Sequence, residues 1–240
     1  MLRGAVLGRP ARPARAGVVS GRECSPPGLA VADAAGRRSW SRDIRWSGWA
    51  AGWHTPPVPS PRVDLLLRQL DIAWALFSHH VRDLDDATCL WEPDPHCWTV
   101  RPDERGRWLP DWQVPEPDPV PAQTIGWITW HLGYWWTTTL EHCFGAGAPE
   151  RTDITWPGGA VETVAWLDDL HQRWRAELGR LTEEDLEATD RVEGLPWGRG
   201  LRLVDIAGWV TVELTKNVAE VGAVRHLCAL RSARSTSPPG

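Results

Sequence analysis

Lysine, tyrosine and methionine each occur once in this 240-residue chain, and phenylalanine occurs twice. Long apolar runs are also missing. The most apolar window, residues 124–140, is interrupted by His131 and falls short of the roughly 20 apolar residues that a bilayer-spanning helix needs. The basic N-terminus lacks the apolar run of a secretory signal peptide. The sequence therefore predicts no membrane segment.

The chain also lacks several motifs that define common sites. Its five cysteines are scattered and form no C-x-x-C pair, which argues against a disulfide framework or zinc knuckle and favours the cytoplasm. Cys89 and Cys97 have only His96 nearby as a group that could lower a thiol pKa, so we expect both to be inert. No phosphate-binding glycine loop, nucleophile elbow or H-E-x-x-H sequence occurs, which excludes the nucleotide-binding and protease functions that use them.

Charge is divided unevenly along the chain. Residues 1–60 carry nine Arg against three acidic residues, a balance of +6, whereas the whole chain carries −5. Residues 61–240 are therefore at −11. Nucleic-acid affinity comes largely from a basic surface, so we expect this acidic body to bind neither DNA nor RNA.

Residues 1–60 mix Arg, Pro, Gly, Ala and Ser without helical or alternating periodicity. Such a composition buries too little apolar surface to offset the entropy of ordering. We expect this extension to be disordered, or to reflect a start codon assigned too far upstream; an organelle transit peptide is a weaker alternative. A further alternative is a short helix packed on the body, suggested by four tryptophans: Trp40, Trp46, Trp49 and Trp53.

Apolar residues at three- and four-residue steps predict four long helices, at about 62–85, 123–143, 160–180 and 203–231. Residues 91–123 hold eight prolines among acidic residues and tryptophans, and we expect a long but ordered loop because the tryptophans must pack. No strand is predicted. The fold class is therefore all-α, with one four-helix domain over residues 61–233 and a disordered tail over 234–240.

Three stretches, in this order and spacing, resemble the DinB-like superfamily and in particular an actinobacterial branch of it. The first is LWEP at 90–93 with CWTVR at 97–101, and the second is TIGWITWHLG at 124–133. The third is WVTVELTKNVAEVG at 209–222. The resemblance as a whole covers about 170 residues.

The resemblance implies an up-down-down-up four-helix bundle that is often dimeric. It also implies a divalent metal held by one His on the second helix and an H-x-x-x-H pair on the last. Some relatives are thiol-dependent transferases or isomerases that use mycothiol, bacillithiol or glutathione. By position, the metal ligands fall on His131, Glu213 and Asn217, so this sequence departs from the three-His pattern at two of three places.

The residue types and their spacing allow two interpretations of the group formed by His131, Glu213 and Asn217. Glu213, Asn217 and Glu220 are spaced i, i+4, i+7 and share one helical face. Because Asn and Glu are hard oxygen donors, a set of His131, Glu213 and Asn217 would hold zinc or nickel less strongly than three imidazoles, and would favour harder ions such as manganese. The alternative is a polar network without an ion, in which His131 donates to Glu213 or Asn217.

Other histidines are weaker ligand candidates. His142 lies eleven residues after His131, about 16 Å further along the helix, and cannot share its site. His79 and His80 could reach the mouth of the bundle, although adjacent residues point in different directions. Tryptophans near His131 are expected in the core, with an aromatic-walled pocket as the alternative.

Two functional hypotheses follow. In the first, the protein binds a small molecule and acts as a metal-assisted thiol S-transferase: the ion lowers the pKa of a low-molecular-weight thiol, and Glu220 is the catalytic base. In the second, the protein is a non-catalytic binding or dimerisation bundle with a structural centre. We expect a homodimer in either case, and the ligand would be held by Trp91, Trp98, Arg101, Trp127 and Trp135.

Overall fold

A computed structural model of the chain describes residues 60–235. The predictions for residues 1–59 and 236–240, including the helix suggested by four tryptophans, lie outside the described residues. The described part is mostly helical, as predicted, and its helices are α1 (Pro61–His80), α2 (Asp86–Cys89), α3 (Ile125–Phe144), α4 (Ala160–Leu178), α5 (Glu183–Glu187) and α6 (Leu203–Ser235). The long helices α1 and α3 each pack against both α4 and α6. No helix in this part of the chain is long and apolar enough to cross a bilayer.

The predicted end of the first helix, near residue 85, is wrong. Helix α1 ends at His80, and Asp83 adopts a left-handed backbone with φ of 60° that a helix cannot continue through. Asp85 then caps α2 by accepting a hydrogen bond from the Thr88 amide. The apolar pattern of the sequence extends past the end of α1 because Val81 and Leu84, although outside the helix, still pack on the core.

The proline-rich loop contains four short strands that the sequence analysis did not predict. Strand β1 (Cys97–Trp98) pairs in parallel with β4 (Ala122–Gln123), and β2 (Val100–Pro102) pairs antiparallel with β3 (Trp108–Pro110). Two- and three-residue strands are too short to show an alternating pattern. The loop is thus ordered by backbone pairing as well as by its tryptophans.

Helix α3 is buried along most of its length. Thr124 caps it, and the hydroxyls of Thr129 and Thr139 donate to carbonyl oxygens one turn earlier, at 2.8 Å and 2.7 Å. These hydroxyls are therefore satisfied without water. At Gly133 the helix lies against the Trp166 ring of α4, where an added Cβ would fall 1.9 Å from a ring carbon.

The core contains a histidine that sequence reasoning did not single out. His171 of α4 is 8% exposed and stacks flat on Trp74 of α1, with ring centroids 4.2 Å apart. Both of its ring nitrogens are buried without a hydrogen-bond partner in the described residues. Burial lowers the pKa of His171; Arg175 acts in the same direction, whereas Asp168 and Asp71 oppose the shift.

We predict that His171→Phe stabilises the protein, because it keeps the stacked ring and removes two unpaired nitrogens. The gain should be about 1–2 kcal/mol near neutral pH. Since the pKa of His171 is lower in the folded state than in the unfolded chain, the unfolded state binds more protons below about pH 6.5. The stability of the parent therefore falls there, and its deficit relative to the variant grows. Urea unfolding on both sides of that pH measures the difference.

His79→Phe is the matched control, since His79 lies exposed on α1. It should leave the free energy of unfolding close to that of the parent. A stability difference between His171→Phe and the parent that stays constant with pH would contradict the assignment, because the buried ring would then carry no linked proton.

Candidate functional site

The predicted pair His131 and Asn217 meets between α3 and α6. His131 Nδ1 lies 3.3 Å from Asn217 Oδ1, and Asn217 is 1% exposed. The amide of Asn217 is held by its own helix, because its Nδ2 donates to the Glu213 carbonyl oxygen at 2.8 Å. Its Oδ1 must therefore accept, so the hydrogen of a neutral His131 resides on Nδ1 and the lone pair on Nε2.

Trp127 connects this pair to the proline-rich loop. Its ring stacks on His131 with centroids 5.0 Å apart and planes 10° apart. Its indole N–H donates to the Asp111 carbonyl oxygen at 2.7 Å, and the Trp98 ring lies against the Trp127 ring with centroids 5.3 Å apart. The orientation of the His131 ring is thus fixed from the loop side as well as from α6.

Several charges surround His131. Burial lowers its pKa, and the Lys216 charge adds to this, while the Asn217 hydrogen bond, Glu213 and Glu116 act in the opposite direction. The net direction is downward, so His131 is neutral near pH 7 and Nε2 can accept a proton.

The two glutamates of α6 differ in their environment. Glu213 pairs with Lys216 at 2.9 Å, so its charge is already compensated. Glu220 is partly buried, and burial raises its pKa, with Glu213 acting in the same direction and Lys216 opposing it. Glu213 and Glu220 thus differ in that the first is ion-paired, whereas the second is partly buried with a raised pKa.

The donor atoms predicted to bind a metal are already engaged. Asn217 Oδ1 faces His131, and the Glu213 carboxylate pairs with Lys216. No three His, Cys, Asp or Glu side chains within residues 60–235 are grouped as a metal ion requires. As arranged, His131, Glu213 and Asn217 do not fit a tightly held ion, because binding would break these contacts. The metal ligand set remains a prediction.

The predicted ligand-contacting residues divide into two groups. Trp127 stacks on His131, and Trp98 packs against Trp127 on the loop side. Trp135 is 2% exposed and packs in the core against Trp136 and Trp209. Arg101 lies near the carboxylates of Glu92 and Asp111, at 3.8 Å and 3.5 Å, and Trp91 is partly buried just after α2. Of the predicted ligand-contacting residues, Trp127 is the one that the described structure places directly against His131, whereas Arg101 and Trp135 have other contacts.

The remaining candidates have other contacts. His142 Nε2 lies 2.9 Å from the Glu193 carbonyl oxygen, far from the centre, as its helical spacing predicted. His80 packs over Gly222 of α6. Burial raises the pKa of Cys89 to about 12 and also raises that of Cys97, which fits inert thiols.

Sequence reasoning missed Glu116 and the Asp111 carbonyl. Both belong to the loop, and their position near α3 depends on how its strands pair. A carbonyl acceptor has no side-chain signature, so no sequence signal identifies Asp111. Glu116 stands between prolines, where an acidic residue is unremarkable.

We predict that Asn217→Leu lowers the pKa of His131 further and removes the preference for a hydrogen on Nδ1, because the hydrogen bond that favours the charged ring is lost. It should also cost about 1–3 kcal/mol of stability by leaving Nδ1 without its acceptor. Long-range nitrogen–proton NMR of His131 across a pH titration measures the tautomer and the pKa. Thr215→Val, on the exposed side of α6, should change neither; an unchanged His131 spectrum in Asn217→Leu would refute the contact.

A comparison with protein families finds that residues 69–221 match the model of the DinB superfamily. A search of curated proteins finds no match. The match spans more than half of the chain and includes both α3 and most of α6, which carry His131 and Asn217. The chain belongs to the DinB superfamily.

Proposed function

We propose that this protein binds a low-molecular-weight thiol beside His131 and uses that histidine to accept the thiol proton. The observation that carries the proposal is the pair of Asn217 amide contacts, which place the hydrogen of His131 on Nδ1 and leave Nε2 as the acceptor. A partly buried, neutral imidazole with a fixed tautomer is suited to general-base chemistry. Trp98 and Trp127 would form the aromatic wall beside the ligand.

The chemistry would be transfer of the thiol sulfur to an electrophilic carbon. The S–H proton passes to His131 Nε2, and the thiolate electron pair forms a bond to carbon. The leaving group departs with the electron pair of the bond that breaks, and protonated His131 returns the proton to it. Glu220, with its raised pKa, is the second candidate to exchange a proton. In this form the reaction needs no bound ion.

The same proposal includes an up-down-down-up bundle and a cytoplasmic location. The packing of α1 and α3 each against α4 and α6 supports the up-down-down-up bundle. The four described cysteines are free thiols, which supports a cytoplasmic location, where mycothiol or a similar thiol would be available. The alternative remains a non-catalytic bundle whose His131 network serves only stability.

Thiol binding can be tested by calorimetric titration of the full chain with mycothiol and glutathione in the presence of a chelator. We predict saturable binding of at least one thiol by the parent, and affinity about tenfold or more lower for His131→Ala, because the proton acceptor is lost. His142→Ala is the matched control on the same helix. Elemental analysis of the purified protein, before and after exposure to zinc, nickel or manganese, accompanies the titration.

The outcomes separate the hypotheses. Near-stoichiometric metal in the parent but not in His131→Ala would replace the metal-free scheme with the metal-assisted one. Absence of both metal and thiol binding, with lower stability of His131→Ala as the one effect, would favour the structural network.

The homodimer is supported by an apolar groove of about 590 Å³ between α1 and α6. Ile72 and Val212 at this groove are each 64% exposed, and Leu76 is 45% exposed. A two-fold interface places the same surface on both partners, so an apolar surface with few charges is self-complementary. Lys216 lines the groove and is already neutralised by Glu213. We therefore propose a second copy of the chain as its occupant.

Ile72→Glu should dissociate this dimer, because two carboxylates would then be buried in an apolar contact. Light scattering after size exclusion should give about twice 26.8 kDa for the parent and about 26.8 kDa for the variant. Val161→Glu, at a 75%-exposed position of α4, is the control and should leave the mass unchanged. A monomeric parent would refute the proposed interface.

A further inference from the structure

A second cavity, of about 480 Å³, lies between strand β3 and the 3₁₀ turn Arg151–Asp153. It shares no lining residue with the His131 centre. Its volume is in the range of small-molecule sites. Leu109, Pro110 and Trp112 give it an apolar wall, and Arg107 and Arg151 add two guanidinium groups.

Arg151 has no acidic partner within residues 60–235. Its guanidinium carbon lies 4.8 Å from the centroid of the Trp112 ring, a cation–π contact. No carboxylate among the described residues forms an ion pair with it, whereas Arg107 is paired with Asp103 at 2.9 Å. In a body that carries −11, a cation at a concave surface without an acidic partner retains its donors for a ligand. Asp153 is the one carboxylate that lines the cavity, against two guanidinium groups.

The walls of this cavity are fixed to α3. Trp108 of β3 forms a bridge with Trp156, and the Trp130 indole N–H donates to the Ile154 carbonyl oxygen at 2.7 Å. Trp112 packs edge-on against Trp130, with centroids 5.7 Å apart. Both the strand and the turn are therefore held before any ligand arrives, which lowers the entropy cost of binding.

We propose that this cavity binds a small organic anion with a flat apolar body, of the class of aromatic carboxylates. The carboxylate accepts hydrogen bonds from Arg151, whose planar guanidinium can donate two parallel bonds, and from Arg107. The apolar body packs against Leu109, Pro110 and the indole of Trp112. No covalent step is involved, and the site is independent of the thiol proposed at His131.

The probe is 2-naphthoate, titrated into the full chain by calorimetry and by NMR of the indole N–H signals. Two analogues separate the contribution of the charge from that of the rings. 2-Naphthalenemethanol keeps the rings without the charge, and acetate keeps the charge without the rings. We expect 2-naphthoate to bind about 10- to 100-fold more tightly than either, and its affinity to fall as salt is added. The indole signal that disappears in Trp112→Leu should be the one that shifts.

Arg151→Gln should weaken 2-naphthoate binding about tenfold or more, and Arg151→Lys should give an intermediate loss because the ammonium keeps the charge without the planar fork. Arg180→Gln is the matched control, since Arg180 lies at 70% exposure just after α4 and pairs with Glu177. Thermal unfolding of each variant checks the fold.

Three results would overturn the proposal: no saturation up to about 10 mM 2-naphthoate, equal affinity for the uncharged alcohol, or unchanged affinity in Arg151→Gln. Tighter binding of acetate than of 2-naphthoate would also overturn it, because the apolar wall would then contribute nothing.

Discussion

The burial of α3 is the constraint on which the rest of the structure depends. A helix enclosed on nearly all sides must satisfy its polar groups inside the protein. The hydroxyls of Thr129 and Thr139 donate to carbonyls of the helix itself, while Trp127 and Trp130 donate to loop carbonyls at Asp111 and Ile154. The hydrogen bonds that satisfy the two buried indole N–H groups also attach both connecting segments to α3. They position the walls of the His131 centre and of the Arg151 cavity.

The polar centre follows from this arrangement. His131 lies on α3 next to the anchored Trp127 ring, and Asn217 faces it from α6. Asn217 orients the His131 ring, and Lys216 pairs with the Glu213 carboxylate.

The core of the described residues also contains polar side-chain atoms that lack a hydrogen-bond partner. His171 is stacked on Trp74 with both nitrogens unpaired, at a position where an apolar ring of the same shape would fit. Such a residue lowers stability, and nothing in the structure of the described residues explains its presence. By contrast, Arg151 has two visible roles, because its guanidinium packs on the Trp112 ring and it lines the cavity beside β3.

The sequence by itself determined the long helices, because apolar periodicity is a local property. The candidate centre of His131, Glu213 and Asn217 was implied by the resemblance to the DinB-like superfamily. Long helices near 125–144 and 160–178 were predictable, whereas the sequence left open whether His131 faces Glu213 or Asn217. Only the tertiary structure decided the break at Asp83, the path of the loop, the tautomer of His131 and the cavity beside Arg151. These depend on backbone carbonyls and on segments far apart in the chain, and neither leaves a signature in residue type or spacing.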